Sequence, residues 1–113
     1  MYNNVLAPIF LALLTGSGSA VAADGKVVIS APHDGTVVSQ HDKVELTYEA
    51  VPGTTGDHLH LNVDGKRIDV IRPMRGKTQV GMLSPGKHHI CLAINTKAHV
   101  PTGTEGCIDI TSK

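Results

Sequence analysis

The sequence predicts an all-β protein, namely a seven-stranded antiparallel sandwich of the immunoglobulin-like, fibronectin-like type. Short runs rich in Val, Ile, Leu and Thr recur between turn-forming residues, and this spacing is typical of such sandwiches. Several of the runs alternate apolar and polar residues, which is the period of a strand with one buried face. No run has the sustained 3.6-residue apolar period of a helix. These three observations favour an all-β fold over a helical or mixed one.

Four strands are predicted in the first half of the mature chain. They are residues 26–30, 43–49, 58–63 and 66–71. A Pro-His-Asp-Gly turn follows the first strand, and residues 36–38 are expected to continue that strand as a short edge piece. The third strand places its leucines on one face, so that His58 and His60 share the other. Asp64-Gly65 then supplies the positive φ angles of a hairpin turn into the fourth strand.

Three further strands are predicted in the second half of the chain. They are residues 77–83, 87–95 and 105–111. Ser84-Pro85-Gly86 makes the turn between the first two, and a loop from Thr96 to Thr104 joins the last two. Isoleucines and leucines at alternate positions of these last strands are expected to face the core.

Residues 1–23 are predicted to be a signal peptide. An apolar run from Val5 to Leu14 is followed by a Gly/Ser-rich segment and then by the small residues Ala20 to Ala23, which suit signal peptidase, although no Lys or Arg precedes the run. The run is too short to span a bilayer of about 30 Å as a helix. We therefore expect residues 24–113 to form one periplasmic or secreted domain that is not inserted in the membrane after processing.

Composition argues against several classes of function. Lys plus Arg and Asp plus Glu are both 10, so the formal net charge is zero and nucleic acid is not an expected partner. Trp is absent and aromatic residues make up 3% of the chain, which leaves few stacking platforms for sugars or bases. Neither a Ser-His-Asp arrangement nor a Gly-rich phosphate loop is recognisable, so an enzyme is not expected.

Cys91 and Cys107 are the only cysteines. If Ile90 and Ile108 face the core, both cysteines point outward, and a hairpin register centred on the loop between the last two strands places them opposite one another. In an oxidising compartment a disulfide is the expected outcome. The alternative is a pair of thiolate ligands for a soft metal.

Seven histidines make this residue type the compositional outlier, and all of them lie in the mature part. On a strand, residues i and i+2 share a face, so His58 and His60 can converge on one ion. In a sandwich, the loop before their strand and the loop between the last two strands lie at the same end, which brings His99 toward them. The loop holding Met74 is expected to open at that end too.

This candidate site of His58, His60 and His99, with Met74 as an optional thioether, suits copper, whereas three imidazoles plus water suit zinc. His33, His41 and His88 are expected near the opposite end, where they form a weaker second candidate site. The alternative interpretation is that the histidines are solvated or hydrogen-bonded and bind no metal.

Three segments resemble a family of small secreted bacterial domains of unknown function. They are Gly56-Asp57-His58-Leu59-His60-Leu61-Asn62-Val63-Asp64, Leu83-Ser84-Pro85-Gly86-Lys87-His88 and His99-Val100-Pro101. In that family a Gly-His-His-His-Leu-Leu-Ile-Asp motif is followed by Pro-Gly-Lys-His and Asn-His-Val-Pro, and the match covers most of the mature chain. The resemblance implies that His58, His60, His88 and His99 occupy family histidine positions, although Asp57 and Leu59 interrupt the histidine run.

The segment from Ala31 to Val38, leading into Lys43 to Thr47, more loosely resembles the opening strands of periplasmic copper-resistance carriers. Those carriers share the immunoglobulin-like fold and use a histidine at the mature N-terminus, whereas this chain would begin with Ala23 or Asp24. This likeness therefore implies the fold more than the metal.

The sequence thus supports two hypotheses of different classes. The first is a periplasmic metal-binding protein, for copper, that sequesters or delivers the ion through surface histidines. The second is a non-enzymatic structural or interaction module that binds another protein of the cell envelope.

Overall fold

A computed structural model describes residues 24–113 as eight strands. They are β1 (Lys26–Ala31), β2 (Val37–Val38), β3 (Val44–Val51), β4 (His58–Val63), β5 (Lys66–Ile71), β6 (Arg75–Gly81), β7 (Gly86–Asn95) and β8 (Pro101–Ser112). The predicted signal peptide, residues 1–23, lies outside the described residues. Within residues 24–113, no helix has the length and apolar character that crossing a bilayer requires.

The strands form two sheets that pack as a sandwich. One sheet has three strands in the order β1-β3-β6, and the other has five in the order β2-β8-β7-β4-β5. All pairings are antiparallel except the short one between β2 and β8. The immunoglobulin-like sandwich predicted from the sequence is confirmed, and each of the seven predicted strands is present.

The structure differs from the prediction in the number and limits of the strands. Residues Val37–Val38 do not extend β1 but form β2, because the preceding turn carries the chain to the other sheet, where Gly35 N donates to Asp109 O across 2.8 Å. β8 begins at Pro101 rather than at residue 105, because a proline is tolerated as the first residue of a strand. The loop between β7 and β8 therefore contains only five residues, 96–100.

The hydrophobic core lies between the two sheets and is built from alternate residues of the strands, together with Leu83 from the segment between β6 and β7. Its buried members are Val44, Leu46, Tyr48, Ala50, Leu59, Leu61, Ile71, Leu83, Ile90, Leu92, Ile94, Ile108 and Ile110. The alternation predicted for β3, β4, β7 and β8 is thus the one observed. Because every second residue of β4 and β7 faces this core, the residues between them lie together on the outer face of the five-stranded sheet.

Cys91 on β7 and Cys107 on β8 are directly opposite one another and form the predicted disulfide, with their Cα atoms 4.1 Å apart. The bond lies on the outer face of the five-stranded sheet and closes a loop with a sequence separation of 16 residues. A loop of this size corresponds to about 3 kcal/mol of stabilisation in the chain-entropy account.

Candidate metal centre

Strand β4 presents its two histidines to the outer face of the five-stranded sheet. Leu59 and Leu61, which alternate with them, are fully buried in the core. The register pairs His58 with Asn95 and His60 with Ala93 on β7. The two imidazoles therefore stand side by side, as the alternation in the sequence predicts.

His58 and His60 are buried, so their description as surface histidines is wrong. His58 is 0% exposed and His60 is 7% exposed. The chain covers this end of the face, because Asp57 N donates to Asn95 O across 2.9 Å and the loop after β7 brings His99 against both rings. The outer face of β4 is thus a second buried layer at this end of the sheet.

The loop of residues 96–100 holds His99 in a fixed position. Thr96 N donates to Val100 O and His99 N donates to Thr96 O, both across 2.8 Å. His99 has φ +66°, in the left-handed region, which few residues other than glycine and asparagine adopt readily. The loop thereby turns His99 back toward β4, while the residue itself remains exposed to solvent.

One ring nitrogen from each of the three histidines converges on a single point. Nε2 of His58 lies 3.0 Å from Nε2 of His60 and 3.2 Å from Nδ1 of His99, and the remaining His60–His99 distance is 3.1 Å. The corners of this nearly equilateral triangle lie about 1.8 Å from its centre. An ion about 1 Å above the centre is therefore at the usual metal–nitrogen distance of about 2.0–2.1 Å from all three.

Asp57 fixes the ring of His58. Its Oδ2 accepts a hydrogen bond from Nδ1 of His58 across 2.8 Å and lies 3.4 Å from Nη1 of Arg72. The hydrogen bond to His58 is the main reason that the pKa of Asp57 is lowered, with the positive charge of Arg72 adding to the effect. Because Nδ1 carries the proton, the lone pair of the neutral ring is on Nε2, which faces the triangle.

The surroundings of His60 favour its uncharged ring, which is the form that binds metals. Burial is the main reason that the pKa of His60 is lowered, and the positive charge of Arg67 acts in the same direction. The lone pairs of three facing nitrogens repel one another unless a proton or a metal ion lies between them. A proton bridges two of them at a time, whereas a metal ion can bind all three.

Asn95 adds an unsatisfied polar atom on the same face. It is 2% exposed and pairs with His58 across the strands. Its Nδ2 donates to Ala93 O across 3.2 Å, but Oδ1 has no hydrogen-bond partner among the described residues. Asn95 thus adds a buried acceptor oxygen to the face that carries His58 and His60.

The other candidate ligands have different surroundings. Met74 is partly buried and packs against the hydrophobic core, so its role as a thioether ligand stays a prediction. His88 donates from Nδ1 to Asp64 Oδ2 and from Nε2 to Ser84 O, both across 2.7 Å. Within residues 24–113, His33, His41 and His88 do not form a group of converging ligand atoms.

A second group of possible ligand atoms consists of His89, Cys91 and Cys107. The sequence raised the two cysteines as an alternative pair of thiolate ligands but did not predict that His89 lies beside them. The position of Asn95 opposite His58 and the contact of Arg72 with Asp57 were also not predicted. The register of β7 with its two neighbours would have indicated both Asn95 and His89. It places Asn95 opposite His58, and it places His89 opposite Asp109, two residues from the disulfide on the same face.

The fold is similar to those of several solved structures. The fibronectin(III)-like modules of Clostridium thermocellum CbhA match with a TM-score of 0.64 and 19% identity, over 77% of this chain and 96% of theirs. A lytic polysaccharide monooxygenase from Jonesia denitrificans matches with a TM-score of 0.52 and 18% identity, over 73% of this chain and 60% of its own. At such identities the likeness shows the fold alone. The sequence matches no protein-family model and no curated protein.

Proposed function

We propose that this protein is a periplasmic or secreted metal-binding protein that takes up a copper ion through His58, His60 and His99 and sequesters or delivers it. The observation that carries the proposal is the convergence of three ring nitrogens within 3.0–3.2 Å of one another. The role proposed is one of binding rather than catalysis.

The surroundings of the three nitrogens also suit a metal ion. The N–H of the other ring nitrogen of a histidine ligand commonly donates a hydrogen bond to a carboxylate, and Asp57 accepts such a bond from His58. Asn95, which lies opposite His58 on β7, adds a buried acceptor oxygen on the same face. Because His99 is exposed, one side of the site is in contact with solvent, and an ion could enter and leave from that side.

Copper is proposed over zinc because of the donor set. Imidazole binds both ions, but for a given nitrogen site the affinity for Cu(II) exceeds that for Zn(II). The disulfide between Cys91 and Cys107 fits an oxidising compartment, in which Cu(II) is the stable oxidation state. Zinc, with a water molecule as the fourth ligand, is the competing ion.

The experiment is a titration of the purified protein with Cu(II), Cu(I) and Zn(II) in competition with chelators of known affinity. We expect the protein to bind a single copper ion, and we expect His99→Asn to weaken the binding by about a hundredfold or more, beyond the loss typical of an outer-shell partner. Asparagine tolerates the left-handed backbone at this exposed position, so this variant should fold normally.

Two double variants complete the test. His58→Gln/His60→Gln removes the two buried ligands. His33→Ala/His41→Ala also removes two histidines, but exposed ones, and serves as the control. Equal copper affinity in the first double variant and the control would contradict the proposal. Circular dichroism of each variant shows whether the fold is retained.

The alternative function is an interaction module of the cell envelope, and one edge of the five-stranded sheet bears on it. β5 lies at this edge and exposes Ile68, which is 45% accessible. Its neighbours Lys66, Arg67 and Asp69 are charged, and charges on an edge strand oppose pairing with another chain. The edge therefore supports this alternative less strongly than the nitrogen triangle supports metal binding.

A further inference from the structure

A second group of ligand atoms lies on the same outer face of the five-stranded sheet. The group comprises His89, Cys91 and Cys107, whose ligand atoms all lie within 4.8 Å of one another. Nε2 of His89 is 3.2 Å from Sγ of Cys91. In the oxidised protein both sulfurs belong to the disulfide, so the group cannot offer thiolates.

The His89 ring is oriented in the manner of a metal ligand. Its Nδ1 lies 2.8 Å from Oδ1 of Asp109, the residue directly opposite on β8. With the proton on Nδ1 donated to this carboxylate, the lone pair on Nε2 points toward the sulfur of Cys91. A carboxylate that orients a histidine in this way is typical of the surroundings of metal ions in proteins.

Two of the three residues of the group are exposed to solvent. Cys91 is 6% exposed, whereas Cys107, His89 and Asp109 are exposed. An external thiol can therefore reach Sγ of Cys107, and Cys91 becomes the leaving thiolate beside His89.

We propose that reduction of the Cys91–Cys107 disulfide creates a second metal site, in which the two thiolates and Nε2 of His89 bind Zn(II) or Cu(I). A dithiol supplies two electrons and two protons, is itself oxidised to a disulfide, and leaves two thiols where the S–S bond was. The ion then displaces the two thiol protons to solvent. Two sulfurs and one imidazole form a donor set that these cations prefer.

This site is distinct from the site formed by His58, His60 and His99 but adjacent to it. His60 of the triangle is opposite Ala93, and Cys91 is two residues from Ala93 on the same face of β7. Two residues along a strand correspond to about 7 Å. The proposal does not depend on the proposed function, because none of its ligands belongs to the triangle.

The test uses Co(II) as a spectroscopic substitute for Zn(II), since bound thiolates give a charge-transfer absorption that imidazoles do not. The purified protein is titrated with Co(II) without oxygen, before and after reduction with a phosphine. We expect the thiolate absorption only after reduction. His89→Ala should weaken Co(II) binding at this site at least tenfold, whereas His88→Ala, the adjacent residue on the opposite face, should not.

Two further measurements make the outcome decisive. His99→Asn should keep the thiolate absorption, so failure of the triangle and failure of this site are distinguishable. Circular dichroism of the reduced protein should show a retained β-sheet. The proposal is overturned if reduced protein gives no thiolate absorption, if it has lost its fold, or if His89→Ala binds Co(II) as tightly as the unmodified chain.

Discussion

Nδ1 of His58 donates a hydrogen bond to Oδ2 of Asp57 across 2.8 Å, and this bond determines which nitrogen of the buried ring faces His60 and His99. His58 is 0% exposed, so water is not available to replace the carboxylate as the acceptor. The bond links a residue of the β3–β4 loop to the first residue of β4. It thereby ties the geometry of the candidate site to the path of the preceding loop.

The first prediction is that Asp57→Asn weakens copper binding about tenfold to a hundredfold. The amide is neutral and offers either a donor or an acceptor to Nδ1, so the ring of His58 is held less firmly and its Nε2 is a poorer ligand. Competition titration measures the change. Asp42→Asn, at an exposed aspartate that precedes β3, is the control. An equal copper affinity of both variants would show that Asp57 has no such role.

The second prediction concerns Met74, the residue that sequence analysis adds to the site as an optional thioether. Met74 is partly buried against the hydrophobic core, and we therefore expect Met74→Leu to leave copper affinity unchanged within about a factor of two. A volume-conserving exchange of this kind should cost less than about 1.5 kcal/mol of stability. A selective loss of Cu(I) affinity, with Cu(II) and Zn(II) unaffected, would instead identify the sulfur as a ligand.

The sequence predicts the sandwich and the approach of the three histidines because both depend on periodicity and topology. Alternation along β4 places His58 and His60 on one face, and the ends of a sandwich bring the loop with His99 to them. Local pattern does not predict burial of the outer face, because that depends on how loop 96–100 folds back over the sheet.

Other features depend on register, which a single sequence does not determine. β2 pairs with β8 only because the turn at Gly35 crosses to the other sheet. Likewise, the position of Asn95 beside His58, and of His89 beside the disulfide, follows from pairings between distant strands. A one-residue slip in either pairing would move these side chains to the opposite face.

The third prediction concerns Tyr48, which is 3% exposed and whose hydroxyl donates to Pro73 O across 2.8 Å. Tyr48→Phe removes this bond and leaves a carbonyl without its donor, so we expect a loss of about 1 kcal/mol in the free energy of unfolding at neutral pH. Urea denaturation measures it. An unchanged free energy of unfolding would indicate that water replaces the hydroxyl.

The fourth prediction concerns the pH dependence of stability at the same residue. Burial raises the pKa of Tyr48 above its usual value. Stability from the neutral phenol is therefore fully present below the pKa of an unfolded tyrosine, about 10, and is lost as pH rises through the higher pKa of the folded state. We expect Tyr48→Phe to lack this loss of stability at alkaline pH. The free energies of unfolding of the variant and the unmodified protein, measured by urea denaturation, should therefore converge above about pH 10. A constant difference at every pH would contradict this account.

The final prediction concerns Cys91→Ala/Cys107→Ala, which tests whether the sheet survives without its disulfide. Loss of a bond that closes a 16-residue separation should cost about 3 kcal/mol. The core that holds β7 against β4 lies on the inner face, away from the sulfurs, and is unaffected by this change. We therefore expect a folded protein with a lower urea midpoint and an intact copper site. Loss of copper binding in a variant that remains folded would mean that the disulfide holds the His99 loop in place, because Cys91 and Cys107 lie on the two strands that this loop joins.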